Sequence, residues 1–380
     1  MTEQFFSPCP RGLEQTLADE LAELGAGHVV VGDAGVAFAG DFSLCYRINL
    51  LSRIASRVLW QVGKTTYRSE DDVYRAAMAL PWPDWFSVDR TIVVSVNARK
   101  CPLRSLDFVT LRIKDAVCDC FRSRTGERPS VDTREPDVRL FAFLDETTVT
   151  FYVDTSGEAL FRRGRRPAAG EAPLKENLAA GILRLIGWQP GVPLLDPMCG
   201  GGTFLIEAAQ ITLDWAPGLD RHFGFEKLRG FKASVWQEIR SEAEGRRQAA
   251  RRLPLFGSDL YGDALKLART NASALGLSET IEFKQVNVLE VNAPAESGIW
   301  ITNPPYGVRI GEQETLAKLY PELGHVLKQK FAGWTAYFFT ADLRLAKLIR
   351  LQASKRTPLF NGQLECRLFE YRMVTGSARK

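Results

Sequence analysis

Asp196-Pro197-Met198-Cys199-Gly200-Gly201-Gly202-Thr203 is the stretch whose reading decides the fold. The apolar run Val192-Pro193-Leu194-Leu195 leads into it and reads as a buried strand ending at Asp196. A helix is expected from Thr203. Three consecutive glycines must turn the chain between the two, because glycine tolerates positive φ and leaves no side chain in the way. A strand, a glycine turn and a helix make the repeating unit of open α/β sheets, which bind ligands at the carboxyl ends of their strands. A nucleotide-like cofactor can lie over the backbone N–H groups of such a loop, although these residues alone also suit a plain strand–helix turn. The loop matches neither G-x-G-x-x-G nor a P-loop, which disfavours a pyrophosphate cofactor.

Working outward, the same alternation continues downstream. Strands are expected at Leu253–Asp259, Ile281–Val288, Gly298–Asn303 and Thr335–Thr340, with helices around Ala264–Leu275 and Leu316–Phe331. Thr357–Asn361 and Leu364–Val374, separated by a turn at Gly362, read as a terminal hairpin. The expected fold is therefore α/β, a Rossmann-like parallel sheet closed by a C-terminal antiparallel hairpin. Upstream the pattern is α+β. Residues 1–59 form one piece, with Leu13, Leu17, Leu21 and Leu24 at helical spacing and Gly25 as a stop. Residues 60–155 form a second, with a strand at 91–98, a helix through Val109–Cys120 and a hairpin turning at Asp145-Glu146. Residues 156–380, including a linker helix, carry the Rossmann-like part.

Four groups of residues carry chemistry. Asp196, Pro197, Cys199, Gly200, Gly202 and Thr203 form the first loop. Asp259, at the next strand end, can accept both hydroxyls of a ribose, or cap the following helix. Asn287, ending the third strand, can pair with an adenine amino group, or simply make a turn. Asn303-Pro304-Pro305-Tyr306 ends the fourth strand. An exocyclic amine on a base is a poor nucleophile because its lone pair is delocalised. The Asn303 amide oxygen and the Pro304 carbonyl could accept its N–H bonds and aim the lone pair. The prolines stiffen the loop, and Tyr306 offers a ring for stacking a flipped base. Together these read as methyl transfer from S-adenosyl-L-methionine (SAM) to an exocyclic nitrogen, by orientation and electrostatics. Arg162, Arg163, Arg165 and Arg166 form the sharpest charge cluster, expected either to touch phosphates or to be a solvated loop.

Bulk properties exclude little. The net charge of +4 does not by itself announce a nucleic-acid binder. Seven scattered cysteines with no C-x-x-C pair, and three histidines, make a structural zinc site an unexpected reading and suit a reducing compartment. No metal, membrane span or leader is expected, and the expected location is cytoplasmic.

The motifs resemble class I SAM-dependent methyltransferases that modify amino nitrogens. More closely, the chain resembles the bacterial 23S ribosomal RNA guanine-N2 methyltransferase family. The likeness runs through Pro8–Glu14, Leu160–Gly164, Ala172–Ala180, Asp196–Thr203, Gly257–Asp259 and Asn303–Arg309, so it covers nearly the whole chain. It implies a ferredoxin-like segment and a THUMP RNA-binding domain before the methyltransferase domain. It also implies SAM as cofactor, 23S ribosomal RNA as partner, and the catalytic and cofactor-binding residues just named. Gly201 stands where the family commonly has Ser, and Asn287 where it commonly has Asp. Other readings are N6-adenine methylation of DNA or RNA, glutamine N5 methylation of a protein, and a non-catalytic RNA-binding assembly factor.

Overall fold

The computed structural model describes residues 2–163, 174–305 and 312–374. Its backbone separates into two compact units. The first gathers residues 1–9, 17–162 and 218–242; the second gathers residues 10–16, 163–217 and 243–380.

The first unit holds β1 (Glu3–Pro8), β2 (Gly27–Gly32), β3 (Gly35–Gly40), β4 (Leu59–Thr66), β5 (Ile92–Ala98), β6 (Val138–Leu144) and β7 (Thr148–Asp154). They form one sheet in the order β2-β3-β1-β4-β7-β6-β5. Every pair is antiparallel except β5 with β6. The strands of residues 1–59 and 60–155 share this sheet, joined where Phe5 pairs with Trp60 and Phe6 with Leu59. Local signals bound its helices. Ser69 and Asp72 form a capping box at the start of Glu70–Ala79. Leu106–Thr125 stops at Gly126, which adopts the left-handed conformation (φ 82°).

Residues 218–242 lie in this first unit although they follow the glycine loop in sequence. Their aromatic rings explain the placement. Phe225, Phe231 and Trp236 surround Tyr46, with ring centroids at 4.4, 5.8 and 6.3 Å. The Tyr46 hydroxyl also accepts from the Lys232 N–H at 3.1 Å. Each aromatic contact adds roughly 0.5–1.5 kcal/mol beyond its buried area.

The second unit holds β8 (Leu194–Asp196), β9 (Leu255–Asp259), β10 (Glu282–Gln285), β11 (Gly298–Thr302), β12 (Trp334–Thr340), β13 (Lys355–Asn361) and β14 (Leu364–Arg372). Their order is β10-β9-β8-β11-β12-β14-β13. The strands from β10 to β12 are parallel, and β14 runs antiparallel to both β12 and β13. The expected sheet and terminal hairpin are both present. Trp300, Tyr320, Phe331, Trp334 and Phe338 pack one face of the sheet, each at most 1% exposed. Among the described residues, no helix is long and apolar enough to cross a membrane.

The strand order positions the site. From β8 the chain builds outward through β9 to β10, then returns to add β11 on the other side of β8. The gap between β8 and β11 is thus a topological switch point, where connections diverge to opposite sides and leave a crevice at the carboxyl ends.

Candidate active site

Asp196 ends β8, and the glycine turn follows at once. Gly200 and Gly202 adopt left-handed conformations, with φ 51° and 78°. A side chain at Gly202 would be strained by that φ, and its Cβ would stand 3.3 Å from that of Ala268. Four hydrogen bonds hold the turn. Cys199 N–H donates to Ser258 O (3.0 Å), and Gly202 N–H to Cys199 O (2.8 Å). Gly200 N–H donates to Asp259 Oδ2 (3.0 Å). The Asn271 side-chain amide donates to Gly201 O at 3.1 Å. Space beside Gly200 is open, with no atom within 4 Å of where its Cβ would be. Thr203 begins the helix Thr203–Thr212, and Pro197 and Cys199 are buried beneath the turn. Burial pushes the Cys199 thiol well above its usual range, with Asp196 and Asp259 adding to the shift.

Asp259 ends β9 and is used twice by backbone: Oδ2 by Gly200, Oδ1 by Tyr261 N–H at 3.0 Å. Each oxygen keeps a lone pair for a further donor such as a ribose hydroxyl. Asp259 makes no side-chain cap to the helix Gly262–Ala274. Asn287 is half-buried one strand further out, tied in where Val286 N–H donates to Asp259 O at 3.2 Å. Its side-chain oxygen already accepts from Leu289 N–H (3.0 Å), so an adenine amino group would share that oxygen.

Asp196 is the least ordinary residue of the group. It is 2% exposed. It accepts from Met198 N–H at 3.3 Å, and among the described residues it has no cationic partner. Burial pushes its carboxyl up to about 8; Thr302 and the Met198 N–H moderate the shift, and nearby Asp259 adds to it. The Thr302 hydroxyl lies against the carboxyl without forming a well-made hydrogen bond. Thr302 is the last residue of β11, so Asn303 leaves the sheet at the same carboxyl edge as Asp196, from the neighbouring strand across the switch point. Asn303 is half-buried, Pro304 buried and Pro305 exposed; Tyr306 lies outside the described residues. The first loop, Asp259, Asn287 and Asn303–Pro305 therefore share one edge of the sheet.

The arginine cluster divides. Arg162 is open, its side chain 68% exposed and 3.4 Å from Glu158. Arg163 differs from the expectation of a phosphate contact. Its side chain is 2% exposed and paired with the wholly buried Glu207, so it cannot reach a phosphate in solvent. The reason is in Thr203–Thr212: a carboxylate inside an apolar helix needs a counter-charge. Arg165 and Arg166 lie outside the described residues. Sequence reasoning passed over Leu260 and Tyr261, which are 50% and 69% exposed immediately after Asp259.

Residues 163–370 match the model described as RMKL-like, methyltransferase domain. The chain belongs to the RMKL-like methyltransferase family. Residues 67–154 match the THUMP domain and residues 4–59 the RlmL ferredoxin-like domain. The slr0064 protein of Synechocystis sp., provisionally named an RNA methyltransferase, is 39% identical over 98% of this chain and 97% of its own length. The ribosomal RNA large subunit methyltransferase K/L of Syntrophotalea carbinolica is 42% identical over 97% of this chain. The chain spans 53% of that relative, about half its length. The crystal structure of SMU.472 complexed with SAH (S-adenosyl-L-homocysteine) superposes with a TM-score of 0.89 at 28% identity, covering 99% of both chains. A THUMP module ahead of an RMKL-like methyltransferase domain agrees with the order read from the sequence.

Proposed function

We propose that the chain is a SAM-dependent RNA methyltransferase that methylates the exocyclic N2 of a guanine in 23S ribosomal RNA. The observation that carries the reading is that β8 and β11 are parallel neighbours at the switch point, so that Asp196, with Thr302 at its carboxyl, and the Asn303 that follows Thr302 leave the same edge of the sheet as the glycine turn. The names of the relatives support an RNA substrate, and the SAH-bound SMU.472 structure supports SAM. On this reading residues 1–59 and 60–155 hold RNA, and residues 156–380 transfer the methyl group.

The residues present fit SAM. Open space beside Gly200 leaves room for a ligand over the loop. A buried Asp196 without a counter-ion suits a ligand that carries positive charge. Gly200, Gly202 and Thr203 line the backbone side, Asp259 takes the ribose hydroxyls, Asn287 the adenine edge, and Pro197 and Cys199 floor the turn. When bound, SAM supplies an electrophilic methyl group on a sulfonium.

The remaining work is positioning. The Asn303 side-chain oxygen and the Pro304 carbonyl accept the two N–H bonds of the target amine and turn its lone pair toward the methyl group. Pro304 and Pro305 lack N–H groups, so no backbone donor competes there. Tyr306 stacks the base. Accepting the methyl group would break its bond to sulfur, leave S-adenosyl-L-homocysteine and place positive charge on the nitrogen, which the two acceptors would stabilise until water takes one N–H proton. Arg162, with Arg165 and Arg166, contacts phosphates and adds affinity without reading sequence.

Incubating the protein with labelled SAM and 23S ribosomal RNA, then digesting to nucleosides, tests this. Labelled N2-methylguanosine is expected. Labelled N6-methyladenosine alone would replace guanine with adenine as the target.

A further inference from the structure

The helix Thr203–Thr212 leaves the glycine turn and is buried almost all round. Phe204, Leu205, Ile206, Ala208 and Ala209 are each at most 1% exposed. Glu207 is its one charged residue. Arg163 meets it with a two-pronged contact, Nε to Oε1 at 3.3 Å and Nη2 to Oε2 at 3.2 Å. Gln210, on the same face of the helix, is also buried. So is Asn177, on the helix Glu176–Leu185 that packs alongside.

Packing alone does not call for this ion pair. Desolvating two charges offsets most of their attraction, and a hydrophobic pair of the same volume would serve the core as well. What a planar fork adds is direction. It fixes the plane of the Glu207 carboxylate and, through a short side chain, the rotation of the helix about its axis. Glu207 lies about one turn beyond Thr203. A small rotation there is passed directly to Gly200–Gly202. That turn has little slack, since Gly200 is held by Asp259 and Gly201 by Asn271. A binding loop displaced by half an ångström no longer presents its donors correctly.

We propose that Arg163 is a positioning residue for the cofactor: its fork on Glu207 sets the rotation of the helix Thr203–Thr212 and so fixes the backbone of the glycine turn against SAM. This rests on the reading of the glycine turn as the SAM site. Arg163 then acts inside the methyltransferase domain, not at the RNA surface.

Two variants of the full chain test it. Arg163→Lys keeps the charge and loses the fork. Arg163→Met combined with Glu207→Leu removes both charges at similar volume, an exchange that usually preserves stability. Both are expected to keep a cooperative thermal transition near that of the parent. Calorimetry well below that transition should show SAM and SAH bound about tenfold more weakly, the effect of one charge-assisted hydrogen bond. A folded variant of either kind with unchanged SAM affinity overturns the proposal. Unfolding of both overturns it too, because the pair would then serve the fold itself. Asp259→Ala separates this from the underlying reading. If it leaves SAM affinity intact, the glycine turn is not the cofactor site. If it abolishes binding while Arg163→Lys changes nothing, only the role of Arg163 fails.

Discussion

Asp154 ends β7 in the first unit and Asp196 ends β8 in the second, and both are buried aspartates at strand ends. Their surroundings differ. Asp154 is paired with Arg57 and accepts from Ser156 N–H at 2.8 Å. Around it a closed network satisfies the other polar groups. The Asn49 side-chain amide donates to Cys45 O and Thr155 Oγ1, each at 3.0 Å. Ser156 Oγ donates to Asn49 Oδ1 at 2.6 Å and accepts from Val58 N–H at 2.8 Å. Asp196 has one backbone donor at 3.3 Å and, among the described residues, no cation. Burial raises both carboxyls, but only Asp154 has an arginine pulling its own back. A buried charge that is fully answered belongs to the fold. A buried carboxyl without a cation at a switch point is a candidate for a ligand's positive charge.

That contrast can be broken experimentally. The largest expected effect is in the second unit, where Asn303→Ala should lower turnover by roughly 10²–10³-fold, as loss of an orienting acceptor does. SAM affinity by calorimetry should stay near the parent's; equal loss of both would remove Asn303 from the orienting role. In the first unit, Arg57→Ala should act on stability instead. It strands Asp154 in the core and should lower the unfolding free energy in urea by about 3 kcal/mol. A variant of normal stability would show that the network does not need its cation.

Asp196→Asn should do the reverse of Arg57→Ala. In the ligand-free protein Asp196 keeps its proton up to about pH 8, whereas unfolded it titrates near 3.8. The native state therefore holds more protons between these values, and stability falls as pH rises through that window, by up to about 1.4 kcal/mol per pH unit. The variant loses this slope, so its advantage over the parent should grow with pH and level off above about 8. SAM binding should weaken in the same variant. A parallel pair of stability–pH curves would show that Asp196 is ionised throughout. The smallest effect is expected at Arg162. Arg162→Ala should reduce the slope of log binding constant against log salt for RNA by up to about 0.9, one phosphate contact. An unchanged slope would make Arg162 a solvated side chain paired only with Glu158.

Most strand and helix positions were legible because they follow from local periodicity and breakers. Gly25 and Gly276 end helices in the left-handed conformation, and the alternation from Leu194 to Thr340 set out a parallel sheet. The glycine turn was legible for the same reason. Less visible was the placement of residues 218–242. Nothing in Phe225, Phe231 and Trp236 as a string says that Tyr46 will receive them. The arginine cluster misled at Arg163, because adjacent arginines look alike in sequence while their burial does not.

By itself the sequence determined the kinds of element and their order, and it placed the ends of β8 and β9 at Asp196 and Asp259, whereas β10 ends at Gln285, two residues before the expected Asn287. These depend on φ preferences and on spacings of a few residues, which are properties of the local chain. The tertiary structure decided which strand ends meet, that β1 joins β4 in a single sheet, and that Glu207 claims Arg163. Those outcomes depend on which distant groups must be buried together, and a charge inside an apolar helix takes whichever counter-charge the folded chain brings to it.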